Sequence, residues 1–474
     1  MSKYHSAVSR RDFMKALGLA GAGIGAAAAT APAFRDLDDF ITSNSATHPS
    51  QRWWIKERDI GDITTPVDWN VYKPYDRSTH PATPSEFGPG GPVLNAERKR
   101  RQSQGAINKW PGSTIRDLAL NDGVGGNYNS SGSKWDTCGG TSPSYYEADG
   151  LVAEPWNGTP EENLQTFRAA AHFYGSPFAG AYKLDANMKK LVETDTVFED
   201  IEVGYQDANR IYHIPNKCNT ILVWNTKQNY LMGEFTVRPG EDDPWTNKVF
   251  RFGKAGENMA YSHAPQVRWQ VMRFIKAMGY QTLKPSGGSF NVAHGCYAGL
   301  NEMGRAAMTL HPSYGIMVRY NDFMYTDFNC APTKPIDAGA RKFCYTCGRC
   351  ADVCPSGAQN TDKEPSYETT DPMCNEGLET WYLKWDPCIR WGGPWDCINC
   401  QVVCPFNHGE DAFIHPLVRA VSGVTPIFNS FFSTMEKSFG YWGQKTADEF
   451  NGWWERDLQS WPYDTLLGFG VKQW

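Results

Sequence analysis

Apolar residues recur along this chain in two rhythms, separated by stretches that have neither. From 266 to 279, QVRWQVMRFIKAMG sets Val267, Val271, Phe274, Ile275 and Met278 on one face at helical spacing. Pro265 suits the first turn of that helix and Gly279 its end. Residues 161 to 174 and AGLNEMGRAAMTL at 298 to 310 also predict helices. TILVWNT at 220 to 226 and the run GIMVRYNDFMYTDF alternate as strands do. Helices and strands thus interleave over about 165–330, which predicts a mixed core of α/β or α+β class. Before it, residues 34–164 are rich in Gly, Pro, Ser, Asn and Trp (PATPSEFGPGGP, GGNYNSSGS), which predicts long ordered loops and short helices. After it come a cysteine-dense segment at 331–410 and an aromatic-rich extension at 411–474.

Charge narrows the partners. With 46 basic and 52 acidic side chains the formal net charge is -6, which argues against a polyanion-binding surface and against nucleic acid. The 18 Trp exceed what a core of this size needs and point to ring-lined pockets.

The N-terminus carries its own chemistry. SRRDFMK (Ser9 to Lys15) pairs Arg10 with Arg11, and no charge follows from Ala16 to Phe34. Ala31-Pro32-Ala33 supplies small residues for a signal peptidase, so residues 1–33 predict a twin-arginine signal. The run is too poor in Leu, Ile and Phe for a membrane anchor. That export route carries proteins already folded, often around a cofactor.

Thirteen cysteines would mean disulfides in an ordinary exported protein, but nine of them fall between 344 and 404. FCYTCGRCADVCPSGA spaces Cys344, Cys347, Cys350 and Cys354 as C-x2-C-x2-C-x3-C-P, and WDCINCQVVCPF adds Cys397, Cys400 and Cys404-Pro405. In such paired motifs the fourth cysteine ligates the other cluster. One [4Fe-4S] cluster is then expected on Cys344, Cys347, Cys350 and Cys404, and the second on Cys354, Cys397 and Cys400. A symmetric motif would place its eighth ligand where Pro394 stands; Cys388 or, failing that, Cys374 replaces it. Zinc ribbons rarely use three evenly spaced cysteines followed by Cys-Pro.

The signal, the mixed core and the two-cluster segment, in this order, resemble the corrinoid-dependent reductive dehalogenases of organohalide respiration. SRRDFMK, AGLNEMGR followed by HPSYGIMVRYNDFMYTD, and the paired cysteine motifs carry the resemblance over essentially the whole chain. Over 255–410 the chain is also similar to epoxyqueuosine reductases. The resemblance implies a nitroreductase-like corrinoid-binding core fused to a bacterial-ferredoxin-like module. It also implies a corrinoid bound base-off, and no Asp stands two residues before any His, so the D-x-H-x-x-G ligand signature is absent. A small membrane anchor protein, an upstream respiratory electron donor and a site on the outer face of the cytoplasmic membrane follow from the same resemblance. So does an organohalide substrate, expected to be a chlorinated ethene or alkane.

The resemblance also assigns residues. Tyr261 in MAYSHAPQVRW matches the family's proton donor, and a position beside a helix N-terminus would favour the tyrosinate left behind. Arg319 matches its basic partner. Asn291 in GGSFNVAHG is a candidate polar group beside the tyrosine, and Arg305 in EMGR either touches the corrinoid or pairs with Glu302. His263 and His294 read as structural histidines rather than ligands, and Trp453 and Trp454 either roof the site or fill the core. Two other functions compete. An epoxyqueuosine reductase would act on tRNA in the cytoplasm, against both the signal and the charge. A pure electron carrier would leave everything before Cys344 without a purpose.

Overall fold

The structure, a computed structural model, describes residues 51–76, 78, 91–112, 147–148, 151–152, 155–176, 178–236, 251–285, 290–369, 371–408, 414–439 and 445–456. The SRRDFMK signal and Cys138 lie outside the described residues.

Three strands make the central sheet: β1 (Ala179–Lys183), β2 (Thr220–Lys227) and β3 (Val318–Thr326), with β2 in the middle and both pairings antiparallel. Of the two classes open from the sequence, this pairing decides for α+β. All eight residues of β2 are buried. Ile221 and Val223 face one apolar cluster while Leu222 and Trp224 face another, as the two-residue period of a strand requires. A covering layer packs on each face.

On the Leu222/Trp224 face lie α1 (Pro160–Phe173) and α2 (Arg251–Ala277), through Leu164, Phe167, Val267, Val271 and Ile275. Helix α1 starts at a capping box: Thr159 accepts from the Glu162 backbone N–H, and Glu162 accepts from that of Thr159. On the other face sits α3 (Asn291–Tyr297), together with a small sheet of Thr196–Glu199, Tyr212–Pro215 and Tyr205–Gln206.

Two expected helices come out differently. The helix ending near Gly279 does not begin at Pro265. It begins at Arg251 and runs through the proline, because the buried face continues upstream through Phe252, Ala260 and Ala264. Proline still removes one N–H, so the Tyr261 carbonyl loses its donor within the helix. Its C-terminal limit is as expected, with Gly279 at φ 99°.

Residues 298–310 are not helical. Glu302–Met303 and Thr309–Leu310 pair antiparallel, and Ala307 turns between them at φ 56°. Distant polar ties override the local preference. The buried Glu302 carboxylate accepts from the backbone N–H groups of Ala338 and Ala340, each at 3.0 Å, and Arg305 reaches the cysteine segment.

The cysteine segment contributes α4 (Ala340–Cys347), α5 (Arg349–Asp352), α6 (Trp385–Trp395) and α7 (Asn399–Val402). Val353, Ile398, Val402 and Val403 join with Met317 in an apolar cluster between α5 and α7. Helix α8 (Ala447–Trp454) closes over Phe235 and Phe252 with Phe450 and Trp453. No described helix is long and apolar enough to cross a membrane.

Candidate active site

Helix α2 brings the expected proton donor and its neighbours onto one face. Lys254, Glu257 and Tyr261 stand at i, i+3 and i+7, so a single side chain arriving from the sheet can touch more than one of them. The first turns of α2 press against the chain at 229–236 with no room for a side chain. A Cβ on Gly253 would lie 2.5 Å from the Thr236 nitrogen, and one on Gly256 2.7 Å from the Asn229 carbonyl.

Arg319 is the arriving side chain. It occupies a bulge in β3: Val318 pairs with Lys227 and Tyr320 with Thr226, so Arg319 is the extra residue. A bulge re-aims a side chain out of the regular alternation. Nη2 of Arg319 donates to the Tyr261 hydroxyl and Nη1 lies 3.0 Å from Glu257 Oε1. Its guanidinium carbon is 4.6 Å from the Tyr261 ring centre. Lys254 contacts the other carboxylate oxygen of Glu257, and Gln401 Nε2 donates to Oε1 at 3.4 Å. Burial alone would raise the Glu257 carboxyl, but the Arg319 and Lys254 cations outweigh it and hold it down to about 2.

Tyr261 and Arg319 are therefore brought together, but the helix N-terminus expected beside Tyr261 is not there. Tyr261 lies mid-helix, and Arg319 supplies positive charge in that role. Glu257 and Lys254 were not singled out from the sequence; they became readable only once the helix was continued upstream of Pro265.

The other candidates separate. Asn291 opens α3, and its side-chain oxygen is buried with no hydrogen-bond partner among the described residues, so no bond ties it to Tyr261. Arg305 neither pairs with Glu302 nor has an N–H left for a corrinoid. All five are used, on the carbonyls of Cys344, Asn360, Asp362 and Lys363. His294 is fully buried, bonded through Nδ1 to the Tyr182 hydroxyl at 2.6 Å and stacked on Phe323. His263 is buried within α2, where burial pushes its imidazole down to about 4. Trp453 packs on Phe252 at 5.0 Å in a cluster that includes Trp391 and touches Cys397, which is core over the cysteine segment.

The cysteines gather in two groups. Cys344, Cys347, Cys350 and Cys404 line one cavity, walled by Leu310, Phe343 and Phe406. The thiols of Cys388 and Cys397 are within electrostatic range of Cys354, and that of Cys400 is within range of both Cys354 and Cys388. Cys374 is elsewhere, with Asp371 beside it and the Leu383 carbonyl at 3.5 Å. Between the two eighth-ligand candidates, the geometry therefore favours Cys388. Burial pushes the Cys347 and Cys400 thiols up to about 12 and Cys388 to about 11, so metal must displace their protons. No three such ligands among the described residues close on a single metal ion, whereas eight soft thiols in two groups fit cubane clusters, whose corners lie farther apart.

The second group adjoins Glu257 and Lys254. Cys400 senses Glu257, Cys388 senses Lys254, and Gln401 next to Cys400 is the residue bonded to Glu257. An electron-carrying group would thus sit against the charges that hold Arg319 and Tyr261.

A chloroethene reductive dehalogenase of Dehalococcoides mccartyi (strain VS) is 30% identical over 98% of this chain and 99% of its own length. The chain belongs to the reductive dehalogenase family. A trichloroethene reductive dehalogenase of the same species is 29% identical over 95% of the chain and 97% of its length. No protein-family model matches. Among solved structures, a reductive dehalogenase reported with a mechanism for B12-dependent dehalogenation superposes with a TM-score of 0.55 at 17% identity. It covers 82% of this chain, which spans about half (49%) of that longer protein. Similarity to an epoxyqueuosine reductase of Lactococcus garvieae reaches 27% identity over only 29% of the chain. The protein is accordingly an oxidoreductase acting on carbon–halogen bonds, a reductive dehalogenase of organohalide respiration.

Proposed function

We propose that this protein removes chloride from a chlorinated aliphatic compound, a chloroethene before a chloroalkane, replacing it with hydrogen. The near full-length similarity to two dehalogenases named for chlorinated ethenes supports that substrate class. The balance is two electrons and one proton taken up per chloride released. A base-off corrinoid would supply a low-valent cobalt able to reduce the carbon–halogen bond, and two [4Fe-4S] clusters would feed it electrons singly. A base-off cofactor asks for no imidazole ligand, and His294 and His263 are both committed to the protein interior.

The observation that carries the reading is the fork of Arg319 between Tyr261 and Glu257. Tyr261 donates the proton to the substrate carbon. Arg319, aimed at the phenol oxygen and anchored by Glu257, stabilises the tyrosinate that remains. Asn291 offers an unpaired amide oxygen near the start of α3 for a polar contact to substrate or cofactor. We take residues 165–330 as a nitroreductase-like core for the corrinoid, completed by 34–164 and 411–474. Residues 331–410 then form the ferredoxin-like module, and 1–33 the export signal. A small membrane protein would hold the enzyme on the outer face, where a respiratory donor reduces it.

The test is chloride release driven by reduced methyl viologen from anaerobically purified protein, across chlorinated ethenes, alkanes and phenols. About eight iron, eight sulfide and one cobalt per chain are expected. Zinc in place of iron overturns the cluster reading, and activity confined to phenols overturns the substrate class.

A further inference from the structure

Two guanidinium groups beside the first cysteine group have no carboxylate partner among the described residues. Arg305 and Arg341 are 4% and 3% exposed. Both lie over Trp381, with guanidinium carbons 4.6 and 5.2 Å from its ring. Arg305 spends its N–H groups on the four carbonyls named above, and Arg341 donates to the carbonyls of Met303 and Glu379. Among the described residues no carboxylate pairs with either. Glu302, a buried carboxyl that acts on the same Cys344 thiol, is bound by the backbone N–H groups of Ala338, Ala340 and Arg341.

A buried, unpaired cation is costly, and carbonyl dipoles offset only part of that cost. The missing negative charge is the cluster itself. Four thiolates around [4Fe-4S] leave it doubly negative when oxidised and triply negative when reduced. Arg305 lines the cavity of Cys344, Cys347, Cys350 and Cys404, and both arginines act electrostatically on Cys344. The second group faces a smaller excess, because Glu257 contacts both Lys254 and Arg319 and offsets one of their two charges.

We propose that Arg305 and Arg341 are the counter-charges of the Cys344/Cys347/Cys350/Cys404 cluster and hold its reduction potential above that of the Cys354/Cys388/Cys397/Cys400 cluster. Each cluster takes one electron from an external low-potential donor. A fixed cation stabilises the more negative reduced form, so it raises the potential of the cluster it faces. The first electron to enter therefore rests on the first cluster, and the second cluster, on the side of Glu257 and Lys254, is filled last.

This rests on the two-cluster reading, which iron and sulfide content tests separately. Redox titration followed by electron paramagnetic resonance should give two midpoints in the holoenzyme, and Cys347→Ala should abolish the higher one. Arg305→Gln should lower that midpoint alone, by at least a tenfold change in the oxidised-to-reduced ratio, about 59 mV for a one-electron couple. Arg305→Lys should recover most of it. If Arg305→Gln fails to load its clusters, Arg341→Gln is judged by the same criterion. Full iron content with both midpoints unmoved, or a shift of the lower midpoint instead, overturns the proposal.

Discussion

Arg319 is the most informative residue to change, because its two ends do different work. The Glu257 carboxyl is held from an ordinary 4.5 down to about 2, and the Arg319 charge is the largest single cause acting against burial. At 1.36 kcal/mol per pH unit the whole depression corresponds to about 3 kcal/mol. Arg319→Ala should then cost about 2 kcal/mol of stability, since Lys254 still faces the carboxylate. The catalytic loss has a different source. Tyr261→Phe keeps the ring but removes the proton, and loss of a general acid costs about 10²–10⁴-fold. Arg319→Lys keeps the charge, but a single ammonium cannot span the phenol and Glu257 as the fork does, so its activity should fall between wild type and Arg319→Ala. In the double variant Tyr261→Phe/Arg319→Ala the rate should stay close to that of Tyr261→Phe, because a cation without a phenol has little left to stabilise. The assay is viologen-driven chloride release at matched iron and cobalt content, paired with thermal denaturation. Multiplicative losses in the double variant would mean that the two residues act independently. A near-normal rate for Tyr261→Phe would place the proton elsewhere.

Cys388→Ala should remove one cluster's worth of iron and sulfide, whereas Cys374→Ala should leave the content unchanged; the reverse result would reassign the eighth ligand. Glu302, raised by burial to about 7, holds its proton in the folded chain over a range where the unfolded chain has lost it. Stability should therefore fall as pH rises from about 4.5 to 7, and Glu302→Gln should flatten that slope in thermal melts between pH 5.5 and 8. Changing Arg10 and Arg11 to lysines should leave folded, cofactor-loaded protein inside the cell, and normal export of that variant would refute the signal.

What was legible in the sequence depended on how local its cause is. The strands at 220–226 and after Gly315, the helix at 161–174 and the buried face of Val267, Val271 and Ile275 follow from periodicity and caps within a few residues. The two cysteine groups were legible for the same reason, since C-x2-C spacing is a local geometric constraint. The misses have distant causes. Pro265 looks like a helix start because its ring disfavours the preceding turn, yet tertiary packing of Phe252, Ala260 and Ala264 carries the helix across it. EMGRAAM reads as helix until Glu302 and Arg305 are seen to be tied to residues 338–341 and 344–363. The bulge that aims Arg319 depends on the register between two strands, which periodicity along one strand does not record.

The proton site and the second cysteine group rest on shared elements. Gln401 donates to Glu257 and accepts from Gln228, and it follows Cys400 in the chain, so α7 carries a proposed ligand and the support of the Arg319 anchor within two consecutive residues. Lys254 contacts Glu257 one turn before Tyr261 and acts on Cys388. Any movement of α7 is therefore felt at the carboxylate that fixes Arg319, and through Arg319 at the phenol. On the proposed reading, the electron reaches the site through the cluster that faces the smaller excess of positive charge. Its arrival adds negative charge beside Glu257, which strengthens the hold on Lys254 and Arg319 rather than leaving either cation exposed. On the same proposal the first cluster, faced by two guanidinium groups with no carboxylate partner among the described residues, has the opposite task of keeping an electron until the second is needed.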